Sequence, residues 1–258
     1  MAFALITGGS GGIGLCLARE LALRKHDIIL VARSGEKLAR ICSELKKEFA
    51  IRAEFLSLDL SQSDADVTLK SWLEKNSFPV DILINNAGYG IWKTVEQTGL
   101  EELVNMMHLN MTTLVKICYA LLPELKKHPT SFLLNVASTA AYQAVPTLTT
   151  YAATKAFVIL FTRGLRRELR KSSVSVSCLS PGATSTGFIE RAGMQSMKDR
   201  AEKFSMKPEA VAKIGIAAML KGKAEIVPGF VNWISVKLTY LVPKNITEKI
   251  AEGLYKTN

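Results

Sequence analysis

The chain has 258 residues, of which 48% are hydrophobic, so it has ample material for the core of a single large α/β domain. Four scattered cysteines without a CxxC pair and three scattered histidines argue against a disulfide framework and against a metal centre. The formal net charge is +10, but no aromatic residues are interleaved with the basic ones, which argues against a nucleic-acid partner.

Seven short apolar runs predict the strands of a sheet. They cover residues 3–6, 28–32, 53–58, 81–84, 131–136, 174–179 and 225–227. Each pair of runs is separated by a segment long enough for a helix, which predicts a doubly wound parallel sheet, a Rossmann fold, with helices on both faces. No linker, low-complexity tract or repeat interrupts this alternation, so we expect one domain over residues 1–258. Ligands of such sheets bind beyond the carboxyl ends of the strands.

A glycine-rich turn follows the first predicted strand, where residues 7–14 read TGGSGGIG. After it, Ile13, Leu17 and Leu21 recur at helical spacing. A strand, a glycine turn and a helix in this order can hold a phosphate, because the helix N–H groups point at it and glycines let it approach the backbone. The alternative is a purely structural turn, since a glycine pattern alone is a weak signal.

The residues after the next three strands fit a dinucleotide as well. An acidic residue after the second strand would bind an adenosine ribose and repel a 2′-phosphate, whereas Arg33, followed by Ser34, can pair with that phosphate. This predicts NADP(H), the alternative being that Arg33 is an exposed loop cation. Asp59 and Leu60 follow the third strand, where they can contact adenine. Small residues in 84–88, INNAG, let the backbone after the fourth strand approach the cofactor.

These motifs resemble those of the short-chain dehydrogenases/reductases, and the resemblance covers nearly the whole chain. The family's TGxxxGxG motif matches residues 7–14, its NNAG motif 85–88, and its PGxxxT motif, which holds the nicotinamide carboxamide, 181–186. Its catalytic tetrad matches Asn110, Ser138, Tyr151 and Lys155 in the contexts LNMTT, NVAST and YAATK. The cofactor contacts implied are Gly8, Ser10, Gly11, Gly12, Ile13, Gly14, Arg33, Ser34, Asp59, Leu60, Asn86, Ala87, Gly88, Tyr151, Lys155, Pro181, Gly182, Thr184 and Thr186.

The tetrad implies a reaction in which a carbonyl is reduced to a secondary alcohol by hydride transfer. Tyr151 and Lys155 stand four residues apart and so share one face of a helix, where a nearby ammonium favours the phenolate form of a tyrosine. By the resemblance, Tyr151 protonates the carbonyl oxygen and Ser138 donates a hydrogen bond to it. Lys155 also holds the nicotinamide ribose, and Asn110 supports a water that replaces the proton. The non-catalytic alternatives are that Tyr151 and Lys155 are a pair of neighbours on the surface of a helix and that Ser138 caps a turn.

The substrate pocket is expected to be apolar. Residues 184–207 correspond to the family's lid, and Ala140, Ala141, Tyr142 and Val145 are expected on the opposite side of the pocket. The lid carries the apolar side chains Phe188, Ile189, Met194, Met197, Phe204 and Met206. They suit an apolar pocket wall, or equally an amphipathic helix that packs on its own domain. An apolar small-molecule carbonyl compound fits this, either a ketoacyl chain or a steroid-like or aromatic ketone.

Residues 228–243 are strongly apolar, but Lys237 interrupts them and Pro243 ends them, so they fall short of the roughly 20 residues of a membrane span. The first interpretation is an amphipathic helix packed beside the pocket or against a partner subunit. The second is a peripheral membrane contact. Basic residues concentrate in this part of the chain, because residues 160–258 hold 17 basic and 8 acidic side chains. They are interpreted as a solvated helix face over 163–171 or, alternatively, as an attraction for anionic substrates.

Assembly and location follow from weaker signals. Family members commonly form dimers or tetramers through the helices that here hold Asn110 and Tyr151, so a homodimer or homotetramer is expected. Apolar surface candidates for that contact are Leu160, Phe161, Leu165 and Leu169. No signal-peptide pattern is visible, and widely separated cysteines suit reduced thiols, which predicts a cytoplasmic protein.

The favoured function is carbonyl reduction with NADPH. One alternative is an alcohol dehydrogenase that runs in the oxidative direction, and another is a non-catalytic protein of the same fold that senses NADP(H). The complete tetrad favours an enzyme, because a sensor would be free to lose Tyr151 or Lys155.

Overall fold

The computed structural model describes residues 2–185, 192–193 and 205–255. Within these residues, one sheet contains seven strands, all paired in parallel in the order β3-β2-β1-β4-β5-β6-β7. The strands are β1 Phe3–Thr7, β2 Asp27–Ala32, β3 Ala53–Ser57, β4 Val80–Asn85, β5 Ser131–Val136, β6 Val174–Leu179 and β7 Glu225–Ile226. The predicted fold class, a doubly wound parallel sheet, is confirmed.

Helices connect the strands. Those described are α1 Gly12–Leu23, α2 Gly35–Phe49, α3 Ala65–Lys75, α4 Leu100–Met107, α5 Leu114–Leu125, α6 Thr149–Glu168, α7 Pro208–Leu220, α8 Phe230–Leu241 and α9 Lys244–Tyr255. A π-helical turn, His108–Thr113, joins α4 directly to α5, and a 3-10 turn, Thr139–Tyr142, follows β5. All seven predicted apolar runs coincide with strands to within one or two residues at each end.

The core lies on both faces of the sheet because successive strand residues point to opposite sides. In β1, Phe3 and Leu5 join a cluster that includes side chains of α3, α5 and α6. Ala4 and Ile6 join a second cluster that includes side chains of α1, α2 and α7. Both faces of the central strands are therefore buried, which explains why their sequences read as continuous apolar runs rather than alternating ones.

The order of the strands reverses between β1 and β4. From β1 the chain moves outward through β2 to β3, and it then returns to pair β4 with the other side of β1. The helices that leave β1 and β4 diverge at this point, which opens a crevice at the carboxyl edge of the sheet. The candidate site lies along that edge.

Two expectations about α6 and the residue after it are wrong. Leu169 is 6% exposed and belongs to the core, while Phe161 and Leu165 are partly buried against it, so only Leu160, at 74%, is a prominent surface residue. Arg166 is not part of a solvated face, since its guanidinium donates to Val176 O and Gly222 O. The cause is the close packing of α6 on β6, which the spacing of α6 alone does not reveal.

Candidate active site

The glycine-rich turn between β1 and α1 forms a cradle at the carboxyl edge. Gly8 has a φ of 67°, a conformation that glycine adopts readily, and a Cβ there would lie 2.8 Å from Asn86 Nδ2. A Cβ on Gly14 would lie 2.4 Å from Gly8 O, so the helix can start this close to the turn only with glycine. Helix α1 has Gly11 as its N-cap and no side-chain cap, which leaves its first N–H groups to an anion. The same turn contains Ser10, Gly12 and Ile13.

Thr7 ties this cradle to the end of β4. Its Oγ1 accepts hydrogen bonds from the backbone N–H groups of Asn86 and Ala87, each at 3.0 Å. In return, Asn86 Nδ2 donates to Thr7 O, also at 3.0 Å. The predicted contacts Asn86, Ala87 and Gly88 therefore begin on the same edge as the glycine turn, and the two segments are held together by partly buried hydrogen bonds.

Two cations flank the cradle on the side of β2. Arg33 follows β2 directly and is exposed, and Lys37 in α2 is exposed as well. The Nζ atom of Lys37 lies 3.6 Å from the position that a Cβ on Gly11 would take. The pKa of Asp59 is lowered, chiefly by a hydrogen bond from the Ser61 backbone and to a smaller extent by the charge of Arg33. The structure thus gathers Arg33, Lys37 and Asp59 around one end of the crevice.

The other two residues predicted on this side contribute differently. Ser34 is exposed and is the N-cap residue of α2. Leu60 has a buried side chain that belongs to the core, and its carbonyl accepts a hydrogen bond from Thr113 Oγ1 at 2.9 Å. Contact between Leu60 and a nucleotide base would therefore fall to the backbone rather than to the side chain.

Asn110 lies in the π-helical turn between α4 and α5 and is buried. Its Oδ1 accepts from Tyr89 N at 3.1 Å, and its Nδ2 donates to Tyr89 O at 2.9 Å and to Thr154 Oγ1 at 3.1 Å. The side chain therefore clamps the loop after β4 onto α6. Because its polar atoms are committed to these bonds, the predicted support of a water would fall to the main chain of Asn110. π-Helical turns are frequent at functional positions.

Lys155 is buried on α6 and points at the crevice. Its Nζ donates to Val136 O at 2.9 Å and lies 5.9 Å from the centroid of the Tyr151 ring. A Cβ on Gly88 would lie 3.4 Å from this Nζ and 2.8 Å from Asn110 Oδ1. Burial lowers the pKa of Lys155 to about 8. The structure thus brings Lys155, Tyr151, Asn110 and Gly88 together at one place.

Tyr151 is buried in a small apolar cluster that is separate from the two cores of the sheet. The other buried members are Ile91, Trp92, Met106, Val145, Leu148, Ala152 and Ala192, and Ala140 packs against them. Ser138 begins the 3-10 turn of Ala140, and its Oγ accepts a hydrogen bond from Ala140 N at 3.2 Å. Ser138 is therefore a turn cap, as its alternative interpretation holds. That bond uses only a lone pair, so the hydroxyl can still donate to a substrate oxygen.

The expectation that Tyr142 lines the pocket is wrong. Its hydroxyl donates to Glu225 Oε1 at 2.5 Å, which links the 3-10 turn to β7 at the edge of the sheet. Ala141 likewise packs against the main core, whereas Ala140 and Val145 belong to the cluster around Tyr151. The reason is that Glu225, distant in the sequence, supplies a hydrogen-bond partner for the phenol.

The PG motif follows β6 and adjoins the Ser138 turn. Thr139 N donates to Pro181 O at 2.9 Å, and Thr184 Oγ1 donates to Gly182 O at 2.9 Å. A Cβ on Gly182 would lie 2.5 Å from Asn232 Oδ1, so α8 packs directly against this motif. Pro181, Gly182 and Thr184 therefore lie on the same edge of the sheet as the tetrad.

Most of the predicted lid, residues 184–207, lies outside the described residues. This holds for Thr186 and for the apolar side chains Phe188, Ile189, Met194, Met197 and Phe204. Met206 is described, and its backbone forms an isolated parallel bridge with Thr184. Ala192 is described as well, and its carbonyl accepts a hydrogen bond from Trp92 N at 2.9 Å.

Sequence reasoning missed three side chains of this site: Lys37, Thr154 and Asn232. Lys37 follows Arg33 by four residues, and that pair of cations after a strand was a usable signal. Asn232 is a polar residue within an apolar helical run, and this isolated polarity also indicated a specific contact. Thr154 carries no such signal, because its partner Asn110 is 44 residues away.

The residues fit a nicotinamide dinucleotide. At Gly8, Gly14 and Gly88 a Cβ would collide with neighbouring atoms, so the close packing of these segments needs glycine. The start of α1 offers backbone donors to phosphates, and cations flank it. Among the described residues, no group of three or more His, Cys, Asp or Glu side chains could hold a metal ion. The arrangement can bind a dinucleotide and pass a proton between a buried phenol and a substrate oxygen. These features define a Rossmann-fold oxidoreductase.

Comparison with known proteins agrees with this class. A family model described as short chain dehydrogenase matches residues 2–228. The chain is 28% identical over 259 aligned positions to the very-long-chain 3-oxoacyl-CoA reductase of Mus musculus, covering 99% of this chain and 80% of the relative. It is 27% identical over 234 positions to the human 17-beta-hydroxysteroid dehydrogenase type 3, covering 90% and 75%.

A solved structure is similar along nearly its whole length. The short-chain dehydrogenase from Sphingobium yanoikuyae, determined in complex with NADPH, superposes with a TM-score of 0.83 at 27% identity, covering 93% of this chain and 94% of that one. The chain therefore belongs to the short-chain dehydrogenase family and is an oxidoreductase.

Proposed function

We propose that this protein uses NADPH to reduce the carbonyl group of an apolar compound to a secondary alcohol, with 3-ketoacyl thioesters as the first candidate substrates. The observation that carries the proposal is the buried Lys155 ammonium, which is fixed by Val136 O and faces Tyr151 inside an apolar cluster. A buried cation beside a buried phenol is costly for folding, and it suits proton transfer to an oxygen that becomes negative.

Each side chain of the tetrad has a separate role in the reduction. When bound, the nicotinamide cofactor supplies the hydride. Tyr151 donates the proton to the substrate oxygen, and the Lys155 ammonium stabilises the phenolate that remains. Ser138 donates its O–H to the same oxygen and so stabilises its developing charge. Asn110 acts as a positioning residue, because its three hydrogen bonds fix the loop of Tyr89 against α6.

The preference for NADP(H) rests on charge. Arg33 takes the position where an acidic residue would favour NAD, and the Lys37 ammonium reaches to the edge of the glycine turn. Both are exposed, as expected for groups that meet a phosphate at the protein surface. The structure of the Sphingobium yanoikuyae relative with NADPH supports the same preference.

The substrate class rests on the apolar cluster and on the relatives. Ile91, Trp92 and Val145 surround Tyr151 with apolar surface, which favours a hydrocarbon chain or ring next to the carbonyl. The mouse relative is named for a very-long-chain 3-oxoacyl-CoA and the human one for a 17-beta-hydroxysteroid. Coenzyme A carries phosphates, and the excess of basic residues in 160–258 would attract them, which places thioesters first.

The test is a substrate panel followed by the loss of NADPH absorbance. The panel contains 3-ketoacyl thioesters of increasing chain length, steroid ketones and aromatic ketones, each with NADPH and with NADH. We expect reduction of the longer thioesters with a clear preference for NADPH. Reduction of steroid ketones alone would move the substrate assignment to the second class, and no reduction of any compound would contradict the proposed activity.

We also propose a homo-oligomer located in the cytoplasm. Adjacent helices α4, α5 and α6 expose the apolar side chains Val104, Met107, Tyr119, Phe157 and Leu160. A surface of this kind favours a symmetric contact with a second copy. All four cysteines are free thiols, which suits a reducing compartment. Sedimentation at micromolar concentration should give a species larger than the 28.2 kDa chain, and a purely monomeric sample would contradict the assembly.

A further inference from the structure

The outer side of helix α8 is exposed to solvent. Among its residues, Val236 and Thr239 are buried, whereas its exposed apolar side chains retain between 37% and 80% of their surface. These are Phe230, Val231, Trp233, Ile234, Leu238, Tyr240 and Leu241. Helix α9 adds Ile246 and Ile250, at 46% and 57%. A soluble surface rarely carries so many large apolar side chains together, so this surface is expected to have a partner.

The exposed apolar side chains of α8 lie on one side of the helix, as in helices that lie along the boundary between water and an apolar phase. At 3.6 residues per turn, the seven exposed apolar side chains spread over about half of the helix circumference. The side opposite, with Asn232, Val236 and Thr239, faces the protein. None of the described helices is both long enough and apolar enough to cross a membrane. A one-sided apolar helix of this length can instead lie along a membrane surface.

The charges on this surface favour lipid over protein. Lys237 stands inside the apolar arc, and its Nζ lies 5.8 Å from the centroid of the Trp233 ring. Lys244 has the same relation to Tyr240, at 5.9 Å. No acidic residue occurs between Glu225 and Glu248. The Lys244 ammonium also donates a hydrogen bond to Thr239 O at 3.0 Å. A dry contact with a second copy would bury both ammonium groups without an acidic partner and set like charges together, whereas the phosphates of a lipid surface would pair with them.

We propose that α8, together with the exposed apolar side chains Ile246 and Ile250 of α9, binds the surface of an anionic lipid bilayer. The aromatic and aliphatic side chains would enter the boundary between headgroups and acyl chains, while Lys237 and Lys244 would reach the phosphates. This is the second of the two sequence-based interpretations of residues 228–243. The first, packing beside the pocket, holds only for the inner side of α8.

The inner side connects this surface to the active site. Asn232 packs against Gly182 of the PG motif, and Asn232 Nδ2 donates to Pro228 O at 2.8 Å. A protein that rests on lipid through α8 would therefore hold the carboxyl edge of its sheet close to the bilayer. Given the proposed function, on which this step rests, an apolar substrate could pass between bilayer and pocket with little exposure to water.

The test is flotation of the full chain with vesicles, without substrate or cofactor. Vesicles of phosphatidylcholine, with and without phosphatidylserine, are compared. The variants are Trp233→Ser with Leu238→Ser, and Lys237→Gln with Lys244→Gln. Matched controls are Leu23→Ser and Lys47→Gln, which alter exposed side chains on α1 and α2. We expect the wild type and both controls to float with the anionic vesicles.

We expect the apolar variant to bind at least about tenfold more weakly to both kinds of vesicle. The lysine variant should lose about fivefold per residue on the anionic vesicles only. If the apolar variant fails to fold, as judged by thermal unfolding, the lysine variant decides. Absence of flotation by the wild type would overturn the proposal, and so would variants that float like their controls. It would also be overturned if the substitutions instead dissociate an oligomer in buffer without vesicles.

Failure here is separable from failure of the proposed function. Reduction of the 3-ketoacyl thioesters of the panel in vesicle-free buffer tests the chemistry alone. Flotation tests the surface alone, because it involves neither NADPH nor substrate.

Discussion

The two ends of the crevice hold their charged groups in opposite ways. At the end proposed for catalysis, Lys155 and Asn110 are 5% and 1% exposed, and their polar atoms bond to Val136, Tyr89 and Thr154. At the nucleotide end, Arg33 and Lys37 are exposed to solvent. Chemistry on a carbonyl needs fixed groups in a water-poor site, whereas the choice between two dinucleotides needs only charge near a phosphate. Substitutions at the first end should therefore act strongly and at the second end modestly and in a salt-dependent way.

The largest effect is expected from Tyr151→Phe. The change removes the proposed proton donor and leaves the ring in its apolar cluster, so turnover should fall by about 10²- to 10⁴-fold. NADPH affinity, measured by fluorescence titration, should change little, because Lys155 and the glycine turn are untouched. A variant within tenfold of the wild-type single-turnover rate would show that Tyr151 is not the acid.

Tyr142→Phe is the matched control for that experiment. It removes a phenol hydroxyl from the neighbouring 3-10 turn, where the hydroxyl bonds to Glu225 rather than to substrate. We expect a loss of stability of about 1 to 3 kcal/mol, because a partly buried, charge-assisted hydrogen bond is broken, with turnover nearly unchanged.

Asn110→Leu should have the next largest effect. Leucine has the branched outline and the number of heavy atoms of asparagine but leaves the backbone N–H and C=O of Tyr89 without their partners, which should destabilise the fold by about 1 to 3 kcal/mol. Turnover should fall by about 10- to 100-fold through displacement of the loop. Thr154→Val, which removes one of the three bonds, should have a clearly smaller effect on both quantities. Equal effects of the two variants would contradict the clamp.

At the nucleotide end, Arg33→Asp should lower the NADPH to NADH affinity ratio by about 10- to 100-fold, the range of a charge-assisted hydrogen bond. Lys37→Gln should lower it several-fold at low salt and less at high salt, because exposed charges are screened. Arg40→Asp on α2 is the matched control and should leave the ratio unchanged. Equal affinity of the wild type for NADPH and NADH would refute the assignment.

The last prediction concerns the pH dependence of stability rather than turnover or cofactor affinity. Below pH 8, Lys155 is charged in both the folded and the unfolded chain. In this range the burial of the ammonium lowers the free energy of unfolding to the greatest extent. The folded-state pKa is about 8 and the ordinary value is 10.5, so between them the unfolded chain binds more protons. The free energy of unfolding of the wild type, relative to Lys155→Met, should therefore rise with pH across this range.

The slope of that rise should approach about 1.4 kcal/mol per pH unit. Urea unfolding of the cofactor-free wild type and of Lys155→Met at a series of pH values measures it. A difference between the two proteins that stays constant from neutral pH to pH 10 would show that burial does not perturb Lys155.

The sequence by itself determined the number of strands, their positions along the chain and nearly their bounds, as well as the glycine turn and the family. These follow from local signals, since a buried parallel strand is a short apolar run and a phosphate turn needs glycine where a Cβ would collide. The candidate site residues of the tetrad could be chosen from motifs for the same reason, and the rule that ligands bind at strand ends put them on one edge.

Only the tertiary structure decided which residues are buried and which partners their side chains contact. The π-helical turn at Asn110, the bond of Tyr142 to Glu225, the burial of Leu169 and the reach of Lys37 to Gly11 all depend on elements far apart in the chain. The apolar run of α8 shows the same limit, because its composition suited either a packed or a bare helix. Whether a side chain is buried depends on the neighbours that the fold places around it. A local sequence pattern does not specify those neighbours.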